Sequence, residues 1–287
     1  MTVLENNIKK LEVCLVIPTY NHAPFLEGVI KDCLQFPIPV IIVNDGSTDD
    51  TLSVITNYEL RITNYELQHN KNCIIHTVSY EKNRGKGYAL KQGAKKAAAL
   101  GYKAIISIDS DGQHFASDIE TLVNTALKNP NDIIVGSRGF GHENMPKKNT
   151  FANRFANFWF CIQTFQKIPD TQSGFRYYPL HCFQKKIWFT NRYNFELEIM
   201  VRNVWKGIKI IPVPIRVHYA PVGERITHFK PSLDFFRISV LNTFLTIFAV
   251  IYFYPKKLFR NLFSLLEKMI SLQKNKIVNN YDRDALF

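Results

Sequence analysis

Residues 13–49 read VCLVIPTYNHAPFLEGVIKDCLQFPIPVIIVNDGSTD. Val13 to Pro18 is a short apolar run closed by a proline, the pattern of a buried strand. Asn21 to Phe36 follows with helical spacing and sets Phe25, Val29, Ile30 and Cys33 on one side. Val40 to Val43 is a second, β-branched strand, and Asn44-Asp45-Gly46-Ser47 stops it. A strand, a helix and a strand in this order begin a parallel sheet.

The alternation continues outward. Thr48 to Tyr58 is helical, Ile74 to Val78 is a weaker strand, and Gly87 to Leu100 is a strong helix rich in Ala and Lys. Ala104 to Ile108 is a fourth strand, directly followed by Asp109. Ser117 to Lys128 reads as a helix and Asp132 to Val135 as a fifth strand. The predicted class is therefore α/β, a mainly parallel sheet flanked by helices. Ligands of such sheets sit beyond the carboxyl ends of the strands, where Asp45 and Asp109 lie. Beyond Gly136 the spacing predicts helices over Phe151–Phe165 and Glu196–Trp205 and a strand over Ile210–His218. One oddity interrupts the pattern: residues 55–61 read ITNYELR and residues 62–68 read ITNYELQ. Two copies are too few for a solenoid, so the duplication reads as a longer connection between the second and third strands.

The 287 residues suffice for a full core, and 46% apolar with 21% charged residues excludes a disordered chain. Lys+Arg exceed Asp+Glu by 36 − 24 = 12, which suits an anionic partner: nucleotide, phosphate, acidic membrane or nucleic acid. No recognisable RNA- or DNA-binding module accompanies the charge. The five cysteines form no C-x-x-C and no zinc spacing, so they read as small buried hydrophobes in a reducing compartment. Met1 to Leu11 is polar and lacks a signal-peptide pattern, which places the expected location on the cytoplasmic side.

Three clusters carry chemistry. Asp109-Ser110-Asp111, with Gln113-His114, sets two carboxylates two residues apart just past a strand. Such a pair can share one hard divalent cation with a diphosphate, and the cation would neutralise a departing nucleotide. The same aspartates could instead cap a solvated turn. Asp45-Gly46-Ser47-Thr48-Asp49 can accept hydrogen bonds from a base or a ribose, or Ser47 or Asp49 can cap the next helix. Residues 81–93, EKNRGKGYALKQG, place Lys86 in a Gly-Lys-Gly turn entering a helix, where backbone N–H groups and cations suit phosphates. This is neither a Walker A motif nor a complete dinucleotide fingerprint.

Together with Ile17-Pro18-Thr19-Tyr20-Asn21, Val135-Gly136-Ser137-Arg138 and Asp170-Thr171-Gln172-Ser173-Gly174-Phe175-Arg176, these clusters resemble glycosyltransferase family 2. The resemblance spans roughly residues 12–220 and is nearest to the dolichyl-phosphate-mannose synthase-like branch of these inverting GT-A enzymes. It implies a GT-A fold and a nucleotide-sugar site, UDP- or GDP-linked. Thr19, Tyr20 and Asp45 would hold the nucleoside, with Pro18, Ser47, Lys86 and Ser110 alongside. Asp109, Asp111 and Gln113 would hold Mg²⁺ or Mn²⁺ and the diphosphate. Arg138, Arg154, Ser173 and Arg176 would line the phosphate and acceptor region, a task that suits the fixed donor fork of arginine. The catalytic set implied is Asp111, Arg138, Arg176 and Glu196. Glu196 and Glu198 are the candidates for a base; a hydroxyl acceptor needs one, whereas a lipid phosphate is already an anionic nucleophile. The branch ends its domain with a Gly-x-Ser-Lys-type loop, for which this chain has residues 222–230, VGERITHFK, so Arg225 and Lys230 stand in as candidates.

Ile238 to Pro255 carries no charge for eighteen residues, and a basic, amphipathic stretch follows. As a helix it would rise about 27 Å, just short of a ~30 Å hydrocarbon core. The predicted organisation is a catalytic domain over 1–230 and a membrane-associated helical tail over 231–287. The predicted function is sugar transfer from a nucleotide sugar to a lipid-linked acceptor such as a polyprenyl phosphate, at the cytoplasmic face of a membrane. Transfer to a saccharide hydroxyl in cell-surface polysaccharide assembly, or nucleotide or polyanion binding without catalysis, are the alternatives.

Overall fold

The computed structural model describes residues 2–63, 74–139, 147–184, 187–218 and 231–284. Helix α1 (Val3–Leu11) leads into β1 (Val13–Thr19), α2 (Ala23–Cys33), β2 (Val40–Asp45), α3 (Thr51–Thr63) and β3 (Ile75–Tyr80). Next come α4 (Lys86–Ala99), β4 (Ala104–Ser107), α5 (Ile119–Lys128) and β5 (Ile133–Arg138). Then follow α6 (Lys147–Thr164), β6 (Arg176–Pro179), α7 (Phe195–Val204) and β7 (Ile210–Ile215).

Among the described residues the strands pair into one seven-stranded sheet, in the order β3-β2-β1-β4-β6-β5-β7. The pairs β1–β2, β1–β4, β2–β3 and β5–β7 are parallel. β6 runs antiparallel to both β4 and β5. Every residue of β1 and β2 is buried, as a parallel sheet covered on both faces requires. A Cβ on Gly93 would run into Val16, so this glycine lets α4 lie close against the sheet.

The expected α/β class with a mainly parallel sheet is what the structure shows. Two elements go beyond the sequence reading. β6 is only four residues, RYYP, and offers no apolar run to recognise. α1, read as a polar terminus, is an amphipathic helix: Thr2 caps it by accepting from Glu5 N–H, and Ile8 and Leu11 are buried. The first ITNYEL copy lies on α3; the second, from residue 64 on, lies outside the described residues. Cys14, Cys33 and Cys182 are buried and, with Cys161, free.

Two compact units are present, residues 1–242 and 243–287. The first holds the sheet. At the C-terminal end, α8 (Pro231–Phe248), a π-helical turn (Ala249–Phe253) and α9 (Tyr254–Asp284) follow one another. Leu233–Lys268 is the one helix among the described residues long and apolar enough to cross a membrane, by length and composition.

Candidate active site at the switch point of the sheet

Strand order fixes where the site lies. From β1 the chain steps outward through β2 and β3, then returns to place β4 on the other side of β1. The crevice beyond the carboxyl ends of β1 and β4 is the switch point at which such sheets bind ligands. Thr19 ends β1, and Asp109, Ser110 and Asp111 follow β4. The two loops are joined: His22 Nδ1 lies 2.8 Å from Ser110 Oγ.

The β1 and β2 loops are also laced together. Asn21 N–H donates to Ser47 Oγ at 3.0 Å, and Thr48 N–H donates to Asn21 Oδ1 at 2.7 Å. Asp45 is buried and accepts from Arg84 N–H at 2.8 Å, Gly85 N–H at 2.7 Å and Asn83 Nδ2 at 3.0 Å. It thereby fixes the turn that launches α4. Thr19 is buried with its hydroxyl unpartnered, and Tyr20 is half-buried beside it. Pro18 lies within the buried strand.

That turn delivers Lys86, and here the structure adds a link absent from the sequence reading. Lys86 Nζ lies 2.6 Å from Asp109 Oδ1 and 3.0 Å from Glu196 Oε2. Burial pulls the ammonium down, but the two carboxylates together outweigh it and hold it above the usual lysine range. Burial likewise opposes ionisation of Asp109, yet Lys86 above all keeps its carboxyl below the ordinary value. A Cβ on Gly174 would collide with both partners, so only glycine lets the backbone pass this ion pair. The backbone at Gly174 thus passes close to both Asp109 and Lys86. Ser173 itself is buried; its N–H donates to Asp170, and its Oγ accepts from Phe175 N–H.

Asp111 has no such cation. Burial first, and the Asp109 charge next, push its carboxyl up to about 6. Gln113 N–H donates to it at 3.0 Å. Two hard oxygen donors in a half-buried pair of like charge fit a divalent cation, which would relieve the repulsion. Among the described residues no three His, Cys, Asp or Glu side chains group to hold a metal by themselves. A cation here would complete its shell with substrate oxygens. His114 is pulled down to about 4 by burial, with Arg138 and Lys86 adding to the effect against the opposing charge of Asp109.

The arginines divide by surroundings. Arg138 grips Asp170 as a fork, Nε to Oδ2 at 2.6 Å and Nη2 to Oδ1 at 3.0 Å. Asp170 also accepts from Asn153 and from the N–H groups of Gln172 and Ser173. Arg176 is wholly buried; its guanidinium donates to the carbonyls of Ser173, Thr171 and Glu196 and to Tyr178 Oη. It braces the loop from below. Arg154 is exposed on α6. Arg225 and Lys230 lie outside the described residues.

On α7 the two glutamates face apart, as a two-residue spacing requires. Glu196 faces Lys86 and, at 4.0 Å, Arg176 Nη2. Glu198 is fully buried and accepts from Phe189 N–H, Thr190 N–H, Thr190 Oγ1 and Arg202 Nη1. Asp170 and the Lys86–Glu196 pair were the residues least visible in sequence. Asp170 stood only inside a quoted motif, and Lys86 and Glu196 are 110 positions apart.

A mainly parallel sheet with one reversed strand, and a carboxylate pair at its switch point set against a lysine, fit the GT-A architecture. The Glycosyl transferase family 2 signature matches residues 14–192, and the chain belongs to that family. It is 28% identical over 253 residues to a dolichyl-phosphate beta-glucosyltransferase of Dictyostelium discoideum, covering 80% of this chain and 73% of that one. It is 29% identical over 170 residues to a UDP-N-acetylglucosamine–dolichyl-phosphate N-acetylglucosaminyltransferase of Methanococcus voltae, covering 57% and 68%. Among solved structures it resembles the glucosyl-3-phosphoglycerate synthase of Mycobacterium tuberculosis in complex with Mn²⁺, UDP-glucose and phosphoglyceric acid. There the TM-score is 0.57 at 16% identity, with 88% of this chain and 83% of that one covered.

Proposed function

We propose that this family 2 transferase moves a sugar from a nucleoside-diphosphate donor onto a lipid phosphate, with inversion at the anomeric carbon. The observation that carries the acceptor assignment is the state of the α7 carboxylates. Glu196 is ion-paired with Lys86, and Glu198 is occupied by four donors. A hydroxyl acceptor needs a base to take its proton. A phosphate monoester oxygen attacks as it stands: its bond to the anomeric carbon forms, the bond from that carbon to the nucleoside diphosphate breaks, and no proton has to move. The dolichyl-phosphate substrates named for both relatives support this reading.

In this reading Thr19, Tyr20 and Asp45 take the nucleoside, with Pro18 and Ser47 shaping the loops around it. Asp109 and Asp111, with Gln113, would hold Mg²⁺ or Mn²⁺, whose charge would offset that of the departing diphosphate. Lys86 aims Asp109, and Ser110 ties the loop to His22. Arg138, held by Asp170, and Arg154 face the acceptor's phosphate, while Arg176 positions the loop between them. Arg225 and Lys230 are the further candidates for closing over phosphate. The helix Leu233–Lys268 would hold the enzyme at a membrane, on its cytoplasmic face, where the lipid resides.

The test is a donor screen with purified full-length protein, UDP- and GDP-linked sugars, Mg²⁺ or Mn²⁺, and polyprenyl phosphate. Metal-dependent labelling of the lipid by one donor is the expected result; full turnover in saturating EDTA overturns the metal assignment. Glu196→Gln should keep much of the rate. If it binds both substrates and is inactive, Glu196 is a base and the acceptor a saccharide hydroxyl.

A further inference from the structure

Helix α2 carries a glycine in its interior, where glycine weakens a helix relative to alanine. A Cβ on Gly28 would meet nothing within 4 Å among the described residues. The space beside it is a groove of about 260 Å³ between α2 and the chain that follows β4. Phe25, Val29, Ile108 and Ala116 give it apolar walls, and Gly112 and His114 line it on the side of the Asp109–Asp111 loop. The His114 side chain is 5% exposed, and its Nδ1 is buried with no hydrogen-bond partner among the described residues. Leaving a buried ring nitrogen unpaired is costly. Nε2 faces Asp109 Oδ2 at 3.9 Å, and that carboxylate draws the proton of the neutral ring to Nε2. Nδ1 is then a bare acceptor. The ring is held where it stands: Phe175 packs on it at 5.4 Å, and His218 N–H donates to the adjoining Gln113 carbonyl at 2.8 Å.

We propose that this groove is a second ligand site, for a small neutral molecule with an apolar body of about one ring and a hydroxyl or N–H that donates to His114 Nδ1. The apolar walls supply the affinity, and the one acceptor fixes the orientation. Asp32 also lines the groove and is exposed, so its charge disfavours an anionic occupant such as a nucleotide or a lipid phosphate. The groove is therefore separate from the donor site, yet joined to it. Gly112 and His114 follow Asp111 in the chain, and the His114 ring stands between the groove and Asp109. An occupant would hold this loop in one arrangement and so raise the apparent affinity for the donor sugar. That coupling rests on placing the donor's diphosphate at Asp109 and Asp111; the binding itself does not.

The test is fluorine NMR on the full chain in lipid nanodiscs. The probe is para-fluorophenol, and fluorobenzene is the match without a donor. Saturable broadening of the phenol line, with binding roughly five-fold tighter than that of fluorobenzene, is the expected result and the worth of one hydrogen bond. Gly28→Leu fills the groove and should abolish the broadening, while turnover without probe stays unchanged. Broadening that survives Gly28→Leu, or that empty nanodiscs reproduce, overturns the site. His114→Phe keeps a ring and removes the acceptor, so it should bring the two probes level; an undiminished preference for the phenol overturns the assignment. Should Gly28→Leu fail to fold, His114→Phe carries the test alone. In the transferase assay, saturating para-fluorophenol should lower the KM for the donor by about five-fold in the unsubstituted protein and not in Gly28→Leu. Bound probe with an unmoved KM overturns the coupling and leaves the site standing. No turnover with any donor overturns the function proposed above, while the NMR result still decides the groove.

Discussion

On the proposed function the chemistry would turn on Asp111. Lys86 pairs with Asp109, while burial and the Asp109 charge push the Asp111 carboxyl up, so the proposed divalent cation would act there. Asp111→Asn should cost about 2–4 kcal/mol of transition-state stabilisation, or roughly 10²–10³ in kcat/KM, with the fold retained. Steady-state kinetics across a Mn²⁺ titration would show it. Gly174→Ala should be comparably damaging for a different reason: the added methyl would part Lys86 from Asp109. Lost activity with an unaltered secondary structure by circular dichroism is the expected pattern. Asp170 supplies the pH dependence of stability. Burial would raise its carboxyl, but the hydrogen bonds and charge of Arg138 outweigh that and hold it below the ordinary range. A depressed folded-state value means that the pair stabilises fully above about pH 4 and loses that contribution as pH falls through the folded value. Asp170→Asn should lower stability at neutral pH by about 3 kcal/mol, as for other broken buried pairs, and flatten the acid limb of a denaturation series.

Among the elements, what was legible followed periodicity. β1, β2 and β4 announce themselves as apolar runs, and the loops after them carry the Asp45 and Asp109–Asp111 groups. β6 could not be seen that way: four residues with an arginine and two tyrosines satisfy no strand template, and only the gap between β4 and β5 calls for them. Lys86 and Glu196 were each in view, but their meeting depends on α4 and α7 packing on one another, which no local spacing encodes. The twin glutamates of α7 stand two residues apart in sequence, and the fold gives them different surroundings. Glu198 organises residues 189–190, so Glu198→Ala should lower the melting temperature by several degrees while leaving the KM for the donor sugar unchanged. A thermal melt alongside donor kinetics separates it from Glu196→Gln.

For the whole molecule, the basic balance of +12 and the apolar helix Leu233–Lys268 point the same way, toward an anionic lipid surface. Among tail residues Phe244, Ile251, Phe259 and Phe263 are all more than half exposed, a pattern that water disfavours over so long a stretch. The full chain should therefore pellet with membranes and resist extraction by high salt. The central claim concerns the acceptor, and one comparison addresses it most directly. Full-length protein in vesicles is given its donor sugar, radiolabelled, together with either a polyprenyl phosphate or the polyprenol of the same chain length. The account expects label in the organic phase with the phosphate alone, released as free sugar by mild acid. Label transferred equally well to the alcohol, or to a saccharide hydroxyl in place of the lipid phosphate, would contradict it.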